Sequence, residues 1–193
     1  RMTADGKTLM TIQQDNFANI WMVPVKDPAE SEKITTGKVE GVGVRWTPDG
    51  KIIYQSAISG NLDIWMSDAN GSNKKQLTSD ANYDFGPCIT FDGKKVAFVS
   101  NRSENNWNLW TMNLDGSNQK QILKTGSQWD ISCSKIENSI YFFGVSEEKQ
   151  GVWKISLDSG ELKFIIGNQT FKVDISPDEK YLAYSFWDEE KNS

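Results

Sequence analysis

The chain has 193 residues, a formal net charge of −5, two cysteines, eight tryptophans and no histidine. Without histidine it can build neither a Ser-His-Asp triad nor a Cys-His pair. Two cysteines cannot make a four-ligand zinc site, and the acidic balance excludes the basic stripe with which a nucleic-acid binder neutralises phosphates.

In chain order, one pattern recurs. It opens at Asp5-Gly6-Lys7, passes the apolar stretch Thr8–Gln13, reaches Asn19-Ile20-Trp21-Met22 and closes at Lys33-Ile34-Thr35. A fuller copy runs from Val44 to Thr78 and the next from Ile89 to Leu123. The fourth is eroded: Glu137-Asn138 stands where Asp-Gly stood, followed by Ile140–Phe143, Val152-Trp153 and Ser159-Gly160. The fifth offers Lys172–Ser176 and Tyr181–Phe186. The tryptophans keep the period: Trp21, Trp65, Trp110 and Trp153 stand 44, 45 and 43 residues apart. A spacing this long and regular marks a repeat architecture.

The apolar segments are four to six residues long and rich in Val, Ile, Phe, Tyr and Trp, with Gly, Asn, Asp and Ser at their edges. That is a strand signature. In the third copy it predicts strands at Gly86–Thr90, Lys95–Ser100, Asn108–Asn113 and Gln119–Leu123. The punctuating pairs Asp49-Gly50, Asp92-Gly93 and Asp115-Gly116 are explained by turn chemistry, because Asp bonds the backbone ahead and Gly takes positive φ. Four short antiparallel strands per copy make one β-propeller blade. The expected blades are 1–36, 37–79, 80–124, 125–166 and 167–193, the first and last incomplete. The recurring tryptophans are expected to wedge between blades. Cys88 and Cys133, about one repeat apart, are read as equivalent positions holding small buried thiols, with a disulfide as the less expected alternative.

These residues resemble the TolB-type, WD-repeat-like propeller family. The resemblance is carried by Thr47-Pro48-Asp49-Gly50-Lys51, by the run Phe91-Asp92-Gly93-Lys94-Lys95 with Val96–Arg102, by Leu109–Gly116 and by Leu77-Thr78. It implies an all-β ring of six or seven blades with each blade's first strand innermost. About 4.4 repeats are present here, and six would need about 264 residues. The resemblance also implies a periplasmic or otherwise extracytoplasmic location.

Function is a separate argument from fold. No Gly-x-Ser-x-Gly elbow and no phosphate-cradling Gly-rich loop occurs, so no enzyme activity, metal or cofactor is expected. No apolar run is long enough to span a bilayer, so no membrane insertion is expected either. Strand parity puts the Asp-Gly turns on one face and the longer loops on the other. On the loop face, Tyr83-Asp84 and Trp129-Asp130 set an aromatic beside a carboxylate in two successive blades. Asn101, Arg102, Glu104 and Trp107 add a mixed polar and aromatic loop. Loops on a rigid scaffold carry binding, so these eight residues are the candidate site for a protein or peptide, with Trp107 alternatively starting a strand. Asp84 is expected to act as a rim charge. The rival reading is the propeller gate of a prolyl-oligopeptidase-type serine hydrolase. Open blade edges would favour self-association.

Overall fold

A computed structural model describes residues 19–23, 28–35, 43–80, 82–103, 106–124, 126–167 and 170–186. Thr8–Gln13 and Glu104 lie outside these residues. Apart from one short 3-10 turn, Pro28–Glu30, every regular element among them is a β-strand.

Three four-stranded antiparallel sheets follow one another in sequence. The first runs β3 (Arg45–Trp46), β4 (Lys51–Ser56), β5 (Asp63–Asp68) and β6 (Lys75–Gln76). The second runs β7 (Asp84–Ile89), β8 (Lys95–Ser103), β9 (Asn106–Asn113) and β10 (Lys120–Gln121). The third runs β11 (Ser127–Cys133), β12 (Ser139–Ser146), β13 (Lys149–Ser156) and β14 (Leu162–Ile166). They are flanked by the hairpin pairs β1 (Trp21–Met22) with β2 (Glu32–Lys33), and β15 (Thr170–Ile175) with β16 (Leu182–Phe186). Each full sheet is a simple meander, and the first strands β3, β7, β11 and β15 lie beside one another. This is the propeller arrangement the repeat predicts, with the first strands towards the axis.

The second strands each hold a continuous apolar run, Ile52–Tyr54, Val96–Val99 and Ile140–Phe143, because both of their faces are covered. Alternate residues of one strand enter different cores. On one face of the second sheet, Val96, Phe98 and Met112 pack with Ile53, Ile64 and Leu77 of the first. On its other face, Ala97, Val99 and Leu109 pack with Ile131, Ile140, Phe142, Trp153 and Ile155 of the third. The recurring tryptophans face the preceding sheet: Trp65 meets Ile20 and Ile34, Trp110 joins the Phe98 cluster, and Trp153 is 1% exposed. Trp21 departs from the expectation of a core ring. It is 56% exposed, because no described sheet precedes it.

The turns interlock the sheets. Gly93, at φ +68°, leaves room for Pro48 of the preceding sheet, whose Cγ would lie 2.8 Å from an added Cβ. Asp92 N–H donates to Asn138 Oδ1 at 3.3 Å. In the same way Glu179 accepts from Lys135 N–H at 3.0 Å and Tyr141 O–H at 3.1 Å.

The cysteines correct the expectation of two thiols: Cys88 and Cys133 form a disulfide, Cα to Cα 5.8 Å. The register gives the reason. Phe98 pairs with Trp110 and Phe142 with Trp153, so Val96 and Ile140 are equivalent. Ile89 pairs with Val96, and Cys133 pairs with Ile140. Cys133 therefore matches Ile89, one residue beyond Cys88. A one-residue offset reverses the side chain's face. Equivalent cysteines would point the same way round the ring; these two point at each other across the gap.

Candidate functional site

The expected loop Asn101–Trp107 is mostly strand. β8 continues to Ser103 and β9 begins at Asn106, with a register shift between Ser100 and Ser103. Polar side chains at the end of a hairpin need no loop, since that end reaches beyond the core. Trp107 thus lies in the third strand and packs edge-on against Phe85, ring centres 5.0 Å apart. Asn101 ties the neighbouring segment down. Its Oδ1 accepts from Tyr83 N–H at 2.8 Å, and its N–H donates to Tyr83 O at 3.3 Å. This leaves the Tyr83 ring 49% exposed.

Asp84 is not a rim charge. It is 0% exposed, and its Oδ2 accepts from Arg102 Nη2 at 2.7 Å. The same nitrogen lies 2.7 Å from Asp80 Oδ2. Arg102 Nε donates to Ser100 Oγ at 2.9 Å and Nη1 to Gln119 Oε1. The guanidinium centre stands 4.9 Å from the Trp110 ring centre, a cation–π contact. Burial pushes the Asp84 carboxyl up, and the bond from Arg102 opposes it. Arg102 and Asp84 form an internal clamp joining the first and second strands to Gln119, just ahead of the fourth. Neither is free to meet a partner.

The pairs Tyr83-Asp84 and Trp129-Asp130 are not structurally equivalent. Asp84 pairs with Ser100, and the matching residue of the next sheet, Gly144, pairs with Gln128. Gln128 is fully buried, and its Oε1 accepts from Leu109 N–H at 3.1 Å. Asp130 lies two residues further in, past a bulge formed at Trp129. The Trp129 ring is half-buried and leans on Phe143, centres 5.4 Å apart. Asp130 Oδ2 accepts from Val173 N–H at 2.6 Å, linking the third sheet to β15. Burial pushes its carboxyl up, against that bond and the nearby Lys172 and Arg45.

The same register slip recurs in successive first strands, between Phe85 and Cys88, at Trp129, and between Thr170 and Val173. A bulge re-aims the strand locally. Along these strands runs a groove of about 510 Å³, lined among others by Arg45, Gly86, Asp130, Lys172, Asp174 and Tyr184. It carries two cations and two carboxylates on three of the four first strands it crosses: Arg45 on β3, Asp130 on β11, and Lys172 and Asp174 on β15. Of these lining residues only Asp130 was singled out from sequence. The pairing register sets Asp174 against Ser132, whose Oγ donates to Asp174 Oδ1 at 3.0 Å, so the two carboxylates of the groove do not occupy equivalent positions in their strands. Asp49, Gly50, Asp92 and Gly93 are turn residues on the opposite face, as expected; Asp92 Oδ1 accepts from Thr90 Oγ at 2.7 Å and Lys94 N–H at 3.1 Å. No cluster of three or more His, Cys, Asp or Glu that could hold a metal occurs among the described residues.

Comparison with known proteins agrees with this architecture. An uncharacterized protein of Agrobacterium fabrum is 31% identical over 98 residues, which is 50% of this chain and 33% of that protein. A TolB homolog of Chlorobium luteolum is 29% identical over 75 residues, 38% of this chain and 17% of its own length. The chain thus spans a third or less of the curated relatives it matches. Among solved structures, TolB from Acinetobacter baumannii superposes with TM-score 0.76 at 19% identity, over 89% of this chain and 43% of that one. An oligogalacturonate lyase in complex with manganese superposes with TM-score 0.68 at 12% identity, over 87% and 50%. At such identities these two likenesses speak for the fold alone. The model of the TolB beta propeller domain matches residues 1–173. The chain belongs to the TolB β-propeller domain family.

Proposed function

We propose that this chain is a non-catalytic binding module for a protein or peptide, working outside the cytoplasm. The observation that carries the reading is the groove along the first strands. It crosses four successive sheets and offers Arg45 and Lys172 beside Asp130 and Asp174, with Tyr184 at its edge. Tyr83 and Trp129 stand on the same first-strand side, and aromatic anchors with charged rims are the usual chemistry of a binding hot spot. The absence of histidine and of a nucleophile elbow supports a non-enzymatic role. The buried Cys88–Cys133 disulfide supports an oxidising compartment, since such bonds persist there and are rare in the cytosol. The rival reading, the gate of a serine hydrolase, draws on a likeness to a mycobacterial puromycin-hydrolyzing peptidase at 12% identity. That likeness speaks for the fold alone.

The test uses peptides selected from a random phage-displayed library against the immobilised chain, then titrated in solution. Tyr83→Ala, Trp129→Ala and Lys172→Ala should each weaken binding, the aromatic changes by about 2 kcal/mol, with unfolding midpoints unchanged. Recovery of no specific peptide, or of peptides indifferent to all three changes, would refute the reading.

A further inference from the structure

The turns between third and fourth strands press on the preceding sheet in two places and not in a third. A Cβ added to Gly71 would stand 2.6 Å from Ile34 O, and one added to Gly116 would stand 3.0 Å from Leu77 O. A Cβ on Gly160, in the third sheet, would meet nothing within 4 Å. That turn is one residue longer: Ser156 N–H donates to Glu161 O, where Asn113 N–H donates to Ser117 O.

Three side chains change at the same interface. The pairing register matches Thr111 with Met66, Lys120 with Lys75, and Lys95 with Lys51. Met66 packs into the core between the first and second sheets, whereas Thr111 sets a shorter, polar side chain between the second and third. Lys75 Nζ donates to Asp115 O of the following sheet at 2.7 Å, and Lys51 pairs with Asp68 at 2.6 Å. Lys120 and Lys95 form no ion pair among the described residues, and Asn113 stands where Asp68 stood.

These departures from the repeat leave a cleft of about 150 Å³ between the second and third sheets. Lys95, Lys120 and Thr111 stand on one wall, Leu157 and Asp158 on the other, and Ile122 adds to the apolar side. Asn138 joins the walls: its Oδ1 accepts from Asp92 N–H at 3.3 Å, and its Nδ2 donates to Asp158 Oδ1 at 3.2 Å. Asp92 accepts from Thr90 and Lys94 through Oδ1 as well. The bond from Thr90 holds the Asp92 carboxyl below its ordinary range, so it is ionised at neutral pH. The cleft therefore sets two ammonium groups and two carboxylates around an aliphatic patch.

We propose that this cleft binds a small aliphatic α-amino acid as its zwitterion. The ligand's carboxylate lies between Lys95 and Lys120, its ammonium group faces Asp92 and Asp158, and its side chain rests on Ile122 and Leu157. Balanced charges on the walls give no advantage to a simple anion or a simple cation, whereas a ligand carrying both signs satisfies both. Charge-assisted hydrogen bonds are about twice as strong as neutral ones, which suits a ligand with few atoms. The space is about that of five waters, enough for one amino acid and too little for a peptide. The cleft is separate from the groove along the first strands, and the proposal does not depend on the binding reading above.

The test is titration of the full chain with L-valine, followed by ligand-detected NMR at millimolar concentrations. Isobutylamine and isovalerate, which are valine without its carboxylate and valine without its ammonium group, serve as single-charge probes. Each should bind at least about tenfold more weakly than valine, the scale of one lost charge-assisted bond. Lys95→Gln and Lys120→Gln should each weaken valine by a similar factor; both side chains are exposed, so thermal melts should be unchanged. Thr111→Met, which places the first sheet's Met66 side chain in the cleft, should abolish binding in a chain that melts cooperatively. No valine binding overturns the proposal. Isovalerate or isobutylamine binding as tightly as valine also overturns it, because the cleft then reads one charge only. So does valine binding that survives both lysine changes or Thr111→Met, because the ligand then sits elsewhere.

Discussion

Breaking the Cys88–Cys133 bond should cost this protein a substantial part of its stability. The bond closes a loop across a sequence separation of 45 residues. In the chain-entropy account, closing about 45 residues removes about 13 cal/mol/K from the unfolded chain, or about 4 kcal/mol at 25 °C. For a chain of this length the unfolding entropy near the midpoint is about 0.4 kcal/mol/K, so the melting temperature should fall by about 10 °C. The sulfurs are also part of the core between the second and third sheets, beside Ala97, Ile131, Ile140 and Trp153. Replacing both cysteines by alanine should therefore cost more than reduction does, since reduction keeps the sulfur atoms. The assay is urea unfolding followed by tryptophan fluorescence, on the oxidised chain, the chain in dithiothreitol, and the double alanine variant. A reduced chain within about 1 kcal/mol of the oxidised one would refute the argument that the staple limits the unfolded chain.

Three further outcomes follow from particular contacts. Trp153→Ala should destabilise by about 3–5 kcal/mol, as for a fully buried ring, whereas Trp21→Ala should change stability by less than about 0.5 kcal/mol; denaturant midpoints for the pair test the difference in burial. Arg102→Ala should cost about 3–5 kcal/mol because it strands the buried Asp84 carboxylate, and adding Asp84→Asn should recover part of that loss in a double-mutant cycle. Burial pushes the Asp63 carboxyl up, against the bonds it accepts from Ser59, Gln76 and Thr78, and no cation forms an ion pair with it among the described residues. The folded chain therefore holds that proton more tightly than the unfolded chain, and the advantage, present at low pH, is lost as pH rises through the raised pKa. Relative to Asp63→Asn, the unmodified chain should lose stability on going from the ordinary carboxylate range towards neutrality, as read from melts across that range; an unchanged difference would refute it.

Some features of this protein are fixed by local order along the chain. A 43–45-residue period, turn residues at set places and short apolar runs determine strands, blades and the tryptophan wedges, because each follows from near neighbours and from the period-2 geometry of a strand. The turn residues Asp49, Gly50, Asp92 and Gly93 were legible for the same reason. The candidate site was less so. Tyr83 is exposed, but Asp84 and Arg102 are held together inside a clamp, and the polar run after Ser100 is hairpin rather than loop. Polarity along a sequence does not distinguish solvent from an internal partner. Asp84 and Asp130 look alike in sequence, yet one matches buried Gln128 and the other lines a groove. Cys88 and Cys133 look equivalent, yet a one-residue offset turns them face to face. These outcomes were decided by register, including the slips between Phe85 and Cys88, at Trp129, and between Thr170 and Val173. A bulge shifts pairing by a single residue, and in a sheet with period 2 a single residue is enough to exchange one face for the other.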